Sequence, residues 1–305
     1  MFKKGNFKIN SQWAGERLDK VLPTLTGLSR KKIKGLLDAG LVKVNGKKVI
    51  IASWMMDEGD RIELQVDGEA PQTAADEYYL KVVHEDKDLI VVDKDPGVAC
   101  EKSPIAMRPT LVAIINAYFK RKYPHLKHHY LGLVHRLDQE TSGLMVYTKT
   151  KEANKITDQF KRHTIHRRYT AVVSGRVEKD EGKIEGFLKK SSLLSHGRKV
   201  ASSTEASGSR AITLYRVLER YHQATLVELQ LNTGRTHQIR VHMAELGHPV
   251  LGDKIYGSGD FKFARQALHA SYLMFHHPVT NQKMEFRAEL PRDLRKLVDR
   301  LRVRS

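Results

Sequence analysis

The hydrophobic positions of the first seventy residues follow two periods in turn. Leu18, Val21, Leu22 and Leu25 recur at i, i+3, i+4 and i+7 behind the polar pair Glu16 and Arg17, the spacing of a helix with one apolar face. A second helix is predicted from Ser29, whose hydroxyl suits a cap, through Ile33, Leu36 and Leu37 to a stop at Gly40. Its outer face carries Arg30, Lys31, Lys32 and Lys34. The period then becomes two. LVKVNGKKV (41–49) alternates around Asn45-Gly46, a strong signal for a tight hairpin, and RIELQV (61–66) alternates again. Together these predict a two-helix, small-sheet module over residues 13–66. Residues 67–77, DGEAPQTAADE, are small and acidic without apolar period and read as a linker.

Residues 78–305 read as a larger second domain. DLIVVDK (88–94) has the continuous apolar run of a buried strand, and Leu111, Ile114, Ile115, Tyr118 and Phe119 make one helix face. Strand patterns recur at 167–175, 212–218, 224–231 and 283–290. Strands that follow one another without regular intervening helices predict a mixed, largely antiparallel sheet flanked by helices, so the fold class is α+β. A further helix is expected from the stripe Ile239, Met243 and Leu246, ended by Gly247 and Pro249.

Charge narrows the partner. Lys and Arg number 53 against 35 Asp and Glu among 305 residues, a net charge of +18, which points to a polyanion. No segment has the roughly 18 apolar residues of a spanning helix, and the start MFKKGNFKINSQW lacks a signal-peptide core, so a soluble, cytoplasmic protein is expected. Cys100 is the one cysteine, which excludes an intrachain disulfide and a cysteine-based zinc site. The stretch 191–210, SSLLSHGRKVASSTEASGSR, is small, polar and basic and is expected as an exposed loop able to order against such a polyanion.

The chemistry concentrates in HRLDQETSGL (135–144), where Asp138 stands between Arg136 and a Thr-Ser-Gly turn. In an extended chain residues two apart share a face, which would bring Arg136 toward Asp138 and favour its ionised form. Glu140 is too close in sequence to serve as an opposed second carboxylate. The helix start at Thr236, His237 and Gln238 offers N–H groups to phosphate. Metal binding by His237, His242 and His248 is disfavoured, because helical ligand pairs sit at i, i+4 and His237 and His242 are five apart.

The segment HRLDQETSGL resembles the signature of the RluA-type pseudouridine synthases, which act on ribosomal and transfer RNA. DKDPG (93–97), RRYTAVVSG (167–175), TGRTHQIRVHMAELGHPVLGD (233–253) and the surroundings of Leu268, His269 and Ala270 resemble further motifs of that family in its order. The basic helix followed by VNG is similar to the small RNA-binding module first known from a small-subunit ribosomal protein. The resemblance implies a pseudouridine synthase catalytic domain behind an RNA-binding domain, with Asp138 as the essential aspartate. It implies that Tyr169 lies under an extruded uracil, that Arg136 enters the gap left by the base, and that Arg235 approaches and orients Asp138. Arg30, Lys31 and Lys34 would contact RNA. The reaction it implies is an isomerisation, so no cofactor and no metal are expected. Large-subunit ribosomal RNA is the favoured substrate. The alternatives are a synthase directed at transfer RNA and a non-catalytic RNA-binding or ribosome-assembly protein.

Overall fold

The computed structural model describes residues 5–30, 33, 36–37, 41–49, 54–64, 75, 78–101, 109–126, 128–194, 197–205, 207–257 and 263–303. The chain divides into two compact units, Met1–Thr73 and Ala74–Ser305. The linker expected at 67–77 falls, apart from Ala75, outside the described residues.

The first unit holds a four-stranded antiparallel sheet in the order β1-β4-β2-β3, built from β1 (Gly5–Lys8), β2 (Val42–Val44), β3 (Lys47–Lys48) and β4 (Arg61–Leu64). Strand β1 carries the sheet N-terminal of residue 13, where periodicity starts the module. The β2–β3 turn is made by Asn45 and Gly46 with φ of 51° and 77°, the left-handed pair that a two-residue hairpin requires. Asn45 also ties the turn to β4, its Oδ1 accepting from Arg61 N at 2.9 Å. Helix α1 (Leu18–Thr26) buries Leu18, Val21 and Leu22 against Ile33, Leu37, Val42, Val44 and Ile62. Arg30, Ile33, Leu36 and Leu37 are helical, as the second apolar stripe predicts, and Arg30 is exposed. Lys31, Lys34 and Gly40 lie outside the described residues.

The second unit is organised by one mixed sheet. Its strands are β5 (Val82–Glu85), β6 (Leu89–Lys94), β7 (Gly132–Leu133), β8 (Ser142–Thr148), β9 (His166–Ser174), β10 (Glu181–Leu194), β11 (Gly197–Ser203), β12 (Ser209–Arg220), β13 (Ala224–Leu231), β14 (Leu268–His276) and β15 (Lys283–Arg287). The order is β11-β10-β12-β13-β9-β14-β8-β6-β5, with β15 on β14 and β7 on β8. Every pairing is antiparallel except β14 with β8. The expected α+β class and mixed sheet are found.

The central strands alternate between two apolar layers. Ile90, Val92, Met145 and Tyr147 face one layer, and Leu89, Val91, Leu144 and Val146 the other. Helices α2 (Leu111–Lys122) and α5 (Arg292–Arg302) cover the first layer, α5 through Leu294, Leu297, Val298 and Leu301, and α3 (Ile156–Lys161) contributes Ile156 to the second. At the parallel junction Gly143 has φ of 115°, and a Cβ there would lie 2.3 Å from Ala270 O, so only glycine lets the two strands approach.

Two expectations are corrected. The stretch 191–210 is not a loop over most of its length: it closes β10, forms β11 and opens β12. Its glycines, alanines and single lysine are weak strand formers, and the pairing of β10 with both β11 and β12 overrides that preference. Leu246 is not part of a buried stripe. Helix α4 (Gln238–Glu245) ends before it, and the side chain is 38% exposed. All of Gln238, Ile239, Arg240, Val241, His242 and Met243 are buried instead, so this helix has no polar face to define a stripe.

Candidate active site

Asp138 lies on the segment between β7 and β8, and two buried cations hold that segment from behind. Lys94, at the end of β6, donates to Gln139 O at 2.9 Å, Val98 O at 2.9 Å and Asp95 O at 3.0 Å. Burial pushes its ammonium down to about 8. Arg265 donates to Glu140 O at 3.0 Å while its Nε and Nη2 grip Asp293 at 2.7 and 3.0 Å. Asp138 O accepts from Thr141 N at 3.0 Å, closing the turn. Lys94, within DKDPG, thus braces the segment that carries Asp138.

The side chain of Asp138 meets Arg240 on α4. Arg240 Nη1 donates to Asp138 Oδ2 at 2.8 Å, while Nε and Nη2 donate to the two oxygens of Asp253 at 2.6 and 2.9 Å. Asp253 is fully buried, Arg240 5% exposed and Asp138 24% exposed, so the cluster opens to solvent only at Asp138. Burial works against the charge on Arg240, but the bonds to Asp253 and the field of Asp138 outweigh it and raise its pKa. Burial likewise opposes the charge of Asp253, yet Arg240 and the N–H groups of Ile255 and Tyr256 hold its pKa below the usual range. Opposite Asp138 Oδ1, at 3.8 Å, stands His237 Nε2.

Asp138 opens onto a cleft of about 1100 Å³, whose wall includes Cys100, Glu101, Arg136, Phe160, Lys161, His163, Arg167, Arg235 and His237. This lies at the upper end of the roughly 300–1,000 Å³ of ordinary small-molecule sites. Behind Asp138 a recess of about 80 Å³ is lined by Tyr169, Leu231, Ile239 and Leu268. Tyr169 is buried on β9 with Ala171 and Val173.

The geometry separates the residues singled out from sequence. Tyr169 and Asp138 share the recess, and Arg136 and Arg235 line the cleft. Arg235 does not orient Asp138: its Nε donates to Arg210 O at 3.1 Å and its side chain faces outward, because it sits in the turn before α4. Arg240, in the first turn of α4 itself, takes that place. Arg136 does not pair with Asp138 either. It is exposed and forms its ion pair with Glu101, since Asp138 already has a buried partner. Gln238 is no phosphate contact. It is buried, its Oε1 accepting from Thr233 Oγ1 at 2.8 Å and Arg235 N at 3.0 Å and its Nε2 donating to Ile212 O at 2.9 Å. His237, His242 and His248 go to separate partners through Nδ1: Tyr256 Oη, Thr213 Oγ1 and Ser174 O.

The comparisons with known proteins decide the family. Residues 88–245 match the model of the RNA pseudouridylate synthases, and residues 16–62 that of the S4 domain. The chain belongs to the RNA pseudouridylate synthase family. The synthase is 37% identical to RNA pseudouridine synthase YlyB of Bacillus subtilis over 291 residues, 94% of each chain. It is 36% identical over 313 residues to ribosomal large subunit pseudouridine synthase D of Haemophilus influenzae, covering 97% of this chain and 94% of the relative. The corresponding protein of Zymomonas mobilis is 34% identical over 310 residues, 97% and 96% of the two chains. Among solved structures, human RNA pseudouridylate synthase domain containing 4 superposes with a TM-score of 0.61 at 25% identity, covering 73% of the synthase and 93% of that chain. The synthase is therefore an isomerase with an RNA-binding S4 domain at residues 16–62. Among the described residues, no helix is long and apolar enough to cross a membrane.

Sequence reasoning passed over Arg240, Asp253, His237 and Tyr256 as a group. The available signal lay in the last motif, where an arginine and an aspartate thirteen residues apart flank a helix end and a Gly-His-Pro turn.

Proposed function

We propose that this synthase converts uridine in large-subunit ribosomal RNA to pseudouridine with Asp138 as its essential carboxylate. The observation that carries the aspartate is the asymmetry of its oxygens: Oδ2 is tied to buried Arg240, whereas Oδ1 accepts no hydrogen bond among the described residues, in a side chain that lines the cleft. The reaction breaks the bond between a uracil nitrogen and the ribose and remakes it to a ring carbon. Attack on the anomeric carbon, attack on the ring and removal of the 2′ proton each need one unshared, ionised oxygen held still.

The target base must first leave its stack, at a cost of a few kcal/mol. Stacking of the extruded uracil on Tyr169 returns roughly 1–3 kcal/mol. Arg136, exposed at the cleft, enters the gap in the RNA, and Arg235 and Arg167 along the same wall hold flanking phosphates. Residues 13–66 bind RNA through the face of Arg30, Lys31 and Lys34, joined by the linker 67–77 to the catalytic domain 78–305. The ribosomal target is supported by relatives whose names specify the large subunit and which align with 97% of the chain.

Asp138→Asn keeps the size of the side chain and removes its charge. It is expected to fold and bind RNA but to form no pseudouridine in a tritium-release assay; near wild-type turnover by the folded variant overturns the aspartate. Mapping pseudouridine in cells with and without the protein tests the substrate. Its loss from transfer RNA, with ribosomal RNA unchanged, overturns the ribosomal assignment.

A further inference from the structure

His237 is one of four non-glycine described residues with positive φ, at 54°, and it stands at the N-cap of α4. A histidine in this left-handed conformation is strained, and such strain persists where surrounding contacts hold it. The contact that holds it is with Tyr256, whose ring it meets edge-on at 5.7 Å and whose Oη lies 3.0 Å from Nδ1. Tyr256 Oη accepts from Val200 N–H at 2.8 Å. Tyr256 has a single hydroxyl hydrogen, and in the tautomer that takes it at His237 Nδ1 the imidazole proton resides on Nε2. Nε2 is the atom 3.8 Å from Asp138 Oδ1, the oxygen that Arg240 leaves free.

At 3.8 Å this is not a hydrogen bond; in that tautomer Nε2 carries an N–H dipole beside a carboxylate oxygen. A neutral donor restrains rotation of the carboxylate without neutralising it, whereas an imidazolium would compete with substrate for the charge. Burial lowers the pKa of His237 against the opposing pull of Asp138, which favours the neutral ring.

We propose that His237 is a positioning residue for the isomerisation, set in one tautomer by Tyr256 and keeping Asp138 Oδ1 turned toward the cleft. The proposal rests on Asp138 being the reactive carboxylate. His237→Asn tolerates the left-handed backbone and offers Tyr256 an acceptor, but has no N–H where Nε2 stood. His237→Gln extends an N–H to about that point. Tyr256→Phe keeps the ring and removes the hydrogen that selects the tautomer.

Steady-state kinetics on a uridine-labelled RNA fragment test this in the full chain. His237→Asn is expected to lower kcat on the order of 10- to 100-fold with KM for RNA within about twofold, the size of effect that misplacing a reacting group produces. His237→Gln recovers most of that loss. Tyr256→Phe lowers kcat in the same sense, and the double variant with His237→Asn is no slower than His237→Asn alone, because the tyrosine acts through the histidine. Additive losses overturn the relay, as does a rise in KM at unchanged kcat or a glutamine no better than asparagine. Should His237→Asn fail to fold, Tyr256→Phe and His237→Gln decide: full kcat in the first or an inactive second overturns it. Asp138→Asn run alongside separates the two readings, since an inactive Asp138→Asn with a fully active His237→Asn rejects the relay alone, and an active Asp138→Asn rejects the aspartate itself.

Discussion

Arg240 Nη1 donates to Asp138 Oδ2 at 2.8 Å across 102 positions of sequence, while the other side of the same guanidinium holds buried Asp253. One cation thus serves two carboxylates, one inside the protein and one at the cleft. The inner pair fixes the guanidinium, and the fixed guanidinium sets the rotation of Asp138. Its planar fork can reach both acids at once, which the single ammonium of a lysine cannot.

Arg240 and Arg235 are therefore expected to behave differently. Arg240→Ala strands Asp253 as a buried, unpaired charge and should cost about 3–5 kcal/mol of stability. Arg240→Lys should melt closer to wild type yet lose turnover. Arg235→Ala should leave the melting temperature unchanged and raise KM for RNA, because the side chain is exposed and, among the described residues, bonds only a carbonyl. Thermal melts with steady-state kinetics check the set; an Arg235→Ala protein that melts as low as Arg240→Ala would reverse the assignment.

A second prediction concerns acid stability. Burial opposes the charge of Glu85, but bonds from Lys122, Lys149, Tyr123 and Tyr118 bring its pKa down from 4.5 to about 2. A carboxyl depressed in the folded state contributes stability that is complete above its unfolded value and lost as pH falls through its folded value. That window is about pH 4.5 to 2, and the contribution at neutral pH is roughly 3 kcal/mol. Glu85→Gln should lower stability at pH 7 and differ less from wild type at pH 2.5. Equal differences at both pH values would show that the cluster acts by shape rather than charge.

Third, reversal of Arg30, Lys31 and Lys34 to Glu in the full chain should weaken RNA binding and flatten its dependence on salt, because fewer counterions are displaced from phosphate. Turnover at saturating RNA should stay unchanged. Unaltered affinity and salt slope in a filter-binding titration would leave that helix face merely solvated.

Fourth, Gly143→Ala adds a Cβ 2.3 Å from Ala270 O at a φ of 115°. Backbone strain alone costs about 1–3 kcal/mol, and the clash forces β8 and β14 apart. The variant should unfold at lower denaturant concentration and lose activity with it, since β8 begins four residues after Asp138. A wild-type denaturation midpoint would refute the close-approach argument.

Most elements within one stretch of chain were legible in the sequence. Asn45-Gly46 marks its hairpin because only a few residues accept two consecutive left-handed conformations, and the stripes of α1 and α2 follow from one buried face each. The stretch around Asp138 stood out for a different reason, its resemblance over ten consecutive residues to a family signature. The same local rules misread 191–210, where strand pairing on two sides outweighs weak propensity, and α4, where burial on all sides erases the stripe.

What the sequence by itself determined was the set of local shapes, the two-unit organisation and the carboxylate of Asp138 as the candidate reactive group. Tertiary structure alone decided which arginine serves that group. By adjacency in the chain, Arg136 stands two residues from Asp138 and Arg235 opens the matching motif, yet one pairs with Glu101 and the other with a carbonyl. Arg240 reaches Asp138 because Asp253 neutralises and aims it in the interior, where an unpaired guanidinium would be too costly to bury. That requirement acts through space, between residues brought together only when β8, α4 and the turn after α4 pack.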